Sequence, residues 1–293
     1  MKHELFEGVC TALVTPFLDG KLDLDALSEL IEIQIEAGVS ALCVAGTTGE
    51  CATLSIREYC RLVSYAIEKT DRRLPVVVGV GTPSTAESCR RAEFARQAGA
   101  DLLLAVTPYY NKGTADGIVR HYHAIAESGD LPIIVYNVPS RTGVDLDVDL
   151  YRRLSAHPGI VAVKEAGGGY ERLLALISSL GDRLCVYTGN DQAILTAVGL
   201  GAKGVISVIS NLLPRETVEL TRAALDGRLA VARELQYRLL PLMNALFAET
   251  NPAPIKSALS LCGLISGELR LPLSPVSPAL RERLAFLLGL PLL

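Results

Sequence analysis

The sequence has no CxxC pair among its seven cysteines, no histidine or cysteine cluster, no bilayer-spanning apolar run, and no marked excess of either charge. Each absence narrows the reading. The thiols are odd in number and scattered, several inside apolar runs such as Ala41-Leu42-Cys43-Val44, which fits reduced core cysteines in a cytoplasm and not a disulfide framework. The only close histidine pair, His121 and His123, is spaced i, i+2 in a helical segment and faces two directions, so no metal site is expected. No histidine falls at a strand end, which leaves a Ser-His-Asp site unsupplied. A formal net charge of −4 gives no electrostatic reason to expect nucleic acid or an anionic membrane surface.

The C-terminal run LAFLLGLPLL is far shorter than the roughly 20 residues of a membrane span. Gly289 and Pro291 interrupt it, so it reads as a docking helix and tail. The opening MKHELFEG mixes acid and base and lacks the apolar core of a secretory signal, so a cytoplasmic protein is expected. About half the residues are apolar and a fifth charged, the balance of a soluble globular chain.

What the sequence does have is alternation. Eight apolar, β-branched runs recur near Val9–Val14, Ala41–Ala45, Val76–Val80, Leu102–Val106, Ile133–Tyr136, Ile160–Val163, Leu184–Tyr187 and Gly204–Val208, each followed by a helix-length segment. Continuous apolar runs suit strands covered on both faces, the mark of a parallel sheet. Helix punctuation fills the gaps. Ser55 to Glu58 makes a capping box with Leu54 and Tyr59 as its staple, and Ser84 to Glu87 repeats the box. Gly38, Gly99, Gly129 and Gly181 fall where left-handed C-caps are wanted. Leu24, Leu27, Ile31 and Ile35 form the apolar stripe of the first helix.

Eight strand-helix units match a (β/α)8 TIM barrel better than a doubly wound sheet. The first run is followed by Thr15-Pro16-Phe17, not by a glycine-rich dinucleotide turn. After Gly227 the alternation stops and a helical stretch begins, striped by Leu235, Leu239, Met243 and Leu246, with Pro241 at a kink. The expected division is a barrel over residues 1–225 and a C-terminal helical appendage over 226–293.

Barrel enzymes carry their sites at the C-terminal ends of the strands. Those ends here read Gly46-Thr47-Thr48-Gly49-Glu50, Thr107-Pro108-Tyr109-Tyr110, Tyr136-Asn137 with Ser140-Arg141-Thr142 beyond, Lys164-Glu165, and Thr188-Gly189-Asn190-Asp191. This is a set of hydroxyls, one amine and one guanidinium. A lysine ending a buried strand suggests amine nucleophilic catalysis, because desolvation disfavours an ammonium and favours the neutral amine that forms a Schiff base. The alternative is a lysine that leaves the strand end for a salt bridge with Glu165 or Asp191. Tyr136, Thr47 and Tyr110 offer a proton relay, or else packed rings and a turn hydroxyl. The amides and hydroxyls of Thr47-Thr48-Gly49 offer a small-carboxylate cradle, or simply a tight turn. Gly167-Gly168-Gly169 reads as room beside the lysine.

The motifs GTTGE at 46–50, YYNKG at 109–113, YNVPSRTG at 136–143, VKEA at 163–166 and NPAPIKSAL at 251–259 stand in order along the chain. Together they resemble the dihydrodipicolinate synthase family (4-hydroxy-tetrahydrodipicolinate synthases) of the pyruvate-dependent class I aldolases. The resemblance implies that Lys164 attacks the ketone of pyruvate. It implies that Tyr136, Thr47 and Tyr110 relay protons, the last in a neighbouring subunit's site. It further implies that Thr48 binds the pyruvate carboxylate, that Arg141 binds the carboxylate of L-aspartate 4-semialdehyde, and that Gly189 and Ile206 line the pocket. No cofactor is implied, and a homotetramer built as a dimer of dimers is.

The chain departs from the family pattern at Gly113, where proline is usual. It also departs at the lysine-feedback pocket, where Ile56, Tyr59 and Pro83 replace polar residues while Glu87 and Tyr109 are retained, so weak or absent inhibition by lysine is expected. Other aldolases of the superfamily, such as N-acetylneuraminate lyase or a keto-deoxy-sugar aldolase, would share Lys164 and Tyr136 but usually lack the threonine pair and Arg141. A catalytically silent barrel would show a broken constellation, whereas these polar positions are filled.

Overall fold

In the computed structural model, which describes residues 5–290, eight parallel strands close on themselves as a barrel. They are β1 (Gly8–Ala12), β2 (Ala41–Val44), β3 (Val76–Gly79), β4 (Leu102–Val106), β5 (Ile133–Asn137), β6 (Ile160–Glu165), β7 (Cys185–Thr188) and β8 (Gly204–Ser207). Each pairs with its sequence neighbours, and β1 pairs with both β8 and β2 to close the ring. Helices lie between the strands, so the fold is a (β/α)8 TIM barrel with further helices after it.

The strands are apolar throughout because both faces are dry. Their outer residues, such as Val9, Leu42, Val78 and Val135, join the helices in one cluster, while Cys10, Ala12, Cys43, Ile134, Ala162 and Ile206 fill the barrel interior. Burying a side chain of the Val or Leu class contributes about 1.5–3 kcal/mol, the main force holding the two layers together.

The cap at Ser55 forms as its sequence requires: Glu58 N donates to Ser55 Oγ at 3.3 Å and Ser55 N donates to Glu58 Oε2 at 2.9 Å. Ser84 caps its helix as well, but the reciprocal half is missing, because the Glu87 carboxylate is taken by Arg90 and Arg91. Gly38 and Gly99 adopt the left-handed C-cap conformation. Gly129 and Gly181 do not. Asp130, at φ +48°, turns the chain instead of Gly129, and Gly181 stays right-handed at φ −60°. Gly129 is small for a different reason: a Cβ there would stand 2.5 Å from Leu103 Cδ1.

β6 runs two residues past its apolar stretch, through Lys164 and Glu165. Ladder hydrogen bonds belong to the backbone, so pairing continues where the side chains change character. After the barrel come helices Leu229–Ala245, with Pro241 inside it, Ala253–Leu261 and Pro278–Leu287. The last docks through Leu280, Leu284 and Ala285; Pro291 and the rest of the expected tail lie outside the described residues.

Candidate active site

Strand register decides which side chains meet. On β6 Lys164 is opposite Tyr136 of β5 and Tyr187 of β7, all on the interior face, where alternation puts every second residue. Lys164 is 5% and Tyr136 6% exposed, and Lys164 Nζ stands 4.3 Å from the Tyr136 ring centroid. Gly189, just past β7, makes room for the lysine chain: a Cβ there would lie 2.9 Å from Lys164 Cε and 2.8 Å from Ala166 Cβ. Ile206 on β8 is fully buried in the same interior cluster as Tyr136.

The salt-bridge alternative for Lys164 fails on geometry. Glu165 points to the outer face, where Tyr151 donates to it at 2.8 Å, Asn137 at 3.1 Å and Gly167 N at 2.7 Å. Asp191 Oδ2 accepts from Val208 N at 3.1 Å and Ile209 N at 2.9 Å. Burial pushes both carboxyls above the usual range, against the hydrogen bonds that favour their charged forms. Among the described residues neither forms an ion pair with Lys164, although its charge reaches Asp191 electrostatically; its amine stands over the Tyr136 ring. Gly167 is also not open space: a Cβ on it would meet Pro139 Cδ at 2.8 Å, so its smallness serves packing beside the site.

The β2 end forms a tight turn in which Gly49 N donates to the Gly46 carbonyl at 3.1 Å and Glu50 N to the Thr47 carbonyl at 3.1 Å. Thr48 is buried, and its Oγ1 accepts from Asn251 Nδ2 at 3.0 Å. Arg141 follows β5 on the short helix Pro139–Thr142, and its Nη2 donates to the Asn251 carbonyl at 2.9 Å. Thr47, Cys51, Tyr109, Val138, Arg141 and Asn251 line a cavity of about 270 Å³. Lys164 and Tyr136 are not in that lining; Val106 and Val138 link the cavity to the interior cluster. A guanidinium and hydroxyls around a space of this size suit a small carboxylate. Tyr110 is placed apart: its ring is 93% exposed and its backbone is left-handed at φ +69°.

Sequence and structure comparisons identify the family. The model of the dihydrodipicolinate synthetase family matches residues 5–289. The chain belongs to that family. It is 46% identical over 281 residues to the 4-hydroxy-tetrahydrodipicolinate synthase of Syntrophobacter fumaroxidans, covering 96% of this chain and 97% of that one. It is 45% identical to the enzyme of the same name from Thermomicrobium roseum over 96% of this chain and 93% of that one. The solved dihydrodipicolinate synthase of Thermotoga maritima superposes with a TM-score of 0.94 at 44% identity, over 97% of this chain and 98% of that chain. That of Aquifex aeolicus gives 0.95 at 41%, covering 97% of each.

At the positions read from the sequence as a feedback pocket, Tyr59 and Glu87 already have partners within the chain. Tyr59 is buried and donates to the Gly79 carbonyl at 3.0 Å, with Arg91 stacked on its ring; Ile56 faces solvent; Glu87 holds two arginines. His121 bonds Thr85 at 2.9 Å, while His123 packs on His157, and no group of three metal-ligand side chains occurs among the described residues. Sequence reasoning missed two further contributors. Asn251 touches both Thr48 and Arg141, and Lys256 forms a fully buried ion pair with Glu50 of the threonine turn. Both lie in the motif NPAPIKSAL, and a lysine as the one charged residue of that helix was the available signal.

Proposed function

We propose that this chain condenses pyruvate with L-aspartate 4-semialdehyde, as a 4-hydroxy-tetrahydrodipicolinate synthase. The observation that carries the reading is the buried amine of Lys164, unpaired with any carboxylate among the described residues and set 4.3 Å from the Tyr136 ring. In this reading Lys164 Nζ attacks the pyruvate ketone, and the carbinolamine loses water to an imine, which gives up a methyl proton to become an enamine. The enamine carbon then attacks the aldehyde. Closure by the substrate's own amino group releases 4-hydroxy-tetrahydrodipicolinate and the free lysine.

Tyr136 shuttles protons at the carbinolamine, with Thr47 and Tyr110 carrying them onward. Thr48 takes the pyruvate carboxylate, and Arg141, whose planar fork matches two oxygens, takes that of the aldehyde. Gly189 and Ile206 shape the pocket. The exposure of Tyr110 supports its insertion into a second subunit, so the active unit is at least a dimer, and the tetramer is a dimer of dimers. We place the enzyme in the cytoplasm, with residues 226–293 a helical unit on the 1–225 barrel; no described helix is long and apolar enough to cross a membrane.

The test is a coupled assay with pyruvate and aspartate semialdehyde beside N-acetylneuraminate and keto-deoxy sugars, with borohydride trapping of the pyruvate adduct on Lys164. Turnover with a sugar acid alone would overturn the substrate assignment. Free lysine added to the same assay is expected to inhibit weakly or not at all, and a micromolar inhibition constant would refute that part.

A further inference from the structure

Outside the reacting groups, the most unusual chemistry in the fold is the ion pair of Glu50 and Lys256, both with fully buried side chains. Lys256 Nζ donates to Glu50 Oε1 and, at 2.8 Å, to the Glu268 carbonyl, and it lies 4.2 Å from the Phe17 ring centroid. The other carboxylate oxygen, Glu50 Oε2, accepts from Arg270 N at 3.0 Å, and the Arg270 guanidinium lies 4.2 Å from the same Phe17 ring. Burial pushes the Lys256 ammonium below its usual range, and the carboxylate draws it back. A buried pair of this kind adds little net stability over apolar residues of the same volume, because desolvating both charges offsets their attraction. Stability alone is therefore a poor reason for its presence.

Its position supplies a better one. Glu50 closes the GTTGE turn three residues after Thr47 and two after Thr48, and its own backbone is held left-handed at φ +52°, which is unfavourable for a residue with a Cβ. Lys256 is on the helix Ala253–Leu261, and Asn251, which holds Thr48 and Arg141, lies in the turn just before that helix. One C-terminal segment thus grips the turn through Glu50, the carboxylate threonine through its hydroxyl and the arginine through its guanidinium.

We propose that Glu50 and Lys256 are a positioning pair, which locks the Thr47-Thr48 turn to the C-terminal helices in the geometry that binds pyruvate. This rests on the roles given above to Thr47 and Thr48. Neither charged group touches the reacting atoms; the pair acts through the turn.

The test compares the full-length parent with the double variant Glu50→Gln/Lys256→Met, which removes both charges together, and with Glu50→Asp, which keeps the charge but shortens the tether by one methylene. Steady-state kinetics, borohydride trapping on Lys164 and hydrogen exchange of peptides spanning 46–54 are read on each. The double variant is expected to fold, raise the pyruvate KM at least tenfold, still trap pyruvate on Lys164 at saturation, and exchange amides faster only in 46–54. Glu50→Asp is expected to raise the pyruvate KM severalfold with a smaller change in kcat. A folded double variant with KM, kcat and exchange within twofold of the parent would refute the proposal. Should it not fold, an unaltered pyruvate KM in Glu50→Asp refutes it equally. Absence of any pyruvate adduct in the parent would instead strike at the proposed function.

Discussion

Gly189→Ala tests whether the Lys164 side chain must occupy the place the structure gives it. The added Cβ would stand 2.9 Å from Lys164 Cε, 3.3 Å from Lys164 Cγ and 2.8 Å from Ala166 Cβ. Carbon atoms pack at roughly 3.5–4.0 Å, so about 0.8 Å must be recovered at the closest contacts. Ala166 offers no rotamer to move, which leaves the lysine chain to yield. Overpacking of this order costs about 1–3 kcal/mol, and a shift near 1 Å at a reacting atom costs up to about 100-fold in rate. The backbone itself raises no objection, because Gly189 is not among the glycines at positive φ.

The expected result is a 10- to 100-fold slower appearance of the borohydride-trapped pyruvate adduct, with the thermal midpoint lowered by roughly 2–8 °C. Gly199→Ala is the control, since a Cβ there meets nothing within 4 Å. It should leave both readouts near the parent. A Gly189→Ala enzyme that traps pyruvate within twofold of the parent rate, at unchanged stability, would refute the claim that the amine is held in place by this contact.

Arg141→Lys keeps the charge but loses the fork and its bond to the Asn251 carbonyl. The KM for aspartate semialdehyde should rise about 10- to 100-fold while the pyruvate adduct still forms; an unchanged aldehyde KM would remove Arg141 from its assigned role. Burial lowers His121 from 6.5 to about 4, so between those values the unfolded chain binds a proton that the native chain does not. Stability should therefore fall as pH drops through that window, by on the order of 3 kcal/mol if the shift is fully expressed. In urea titrations at pH 7 and 4.5, His121→Gln should flatten this slope, and an identical slope in the variant would exclude the histidine as its source. Glu58, held near 2 by the Arg270 guanidinium, is a depressed carboxylate, so its contribution is present above pH 4.5 and lost toward pH 2. Because that pair is partly solvated, roughly 1 kcal/mol is expected, and Arg270→Met should remove it from acid titrations.

The fold class was legible because all eight strands are buried on both faces, which forces continuous apolar runs that periodicity can detect. Ser55 was equally legible, since a cap is a contact between residues three apart. Ser84 obeyed only half of the same rule, because arginines one turn further along its own helix compete for Glu87. Gly129 and Gly181 were read as caps although glycine is chosen for packing as well as for φ, and only the distant neighbours Leu103 and Ala92 distinguish the two at Gly129.

At the site, the sequence by itself determined the inventory: one amine, two threonines, tyrosines and an arginine at the strand ends, in motifs specific enough to indicate the family. It left open whether Lys164 faced a carboxylate. The tertiary structure decided that through strand register, which turns Glu165 outward, gives Asp191 to the amides after β8 and sets Lys164 beside Tyr136. It also brought Asn251 and Lys256 some 200 residues back along the chain to the threonine turn. Local sequence records periodicity and turn chemistry because those interactions span a few residues. Contacts between distant segments follow from barrel closure and packing, which no local pattern encodes.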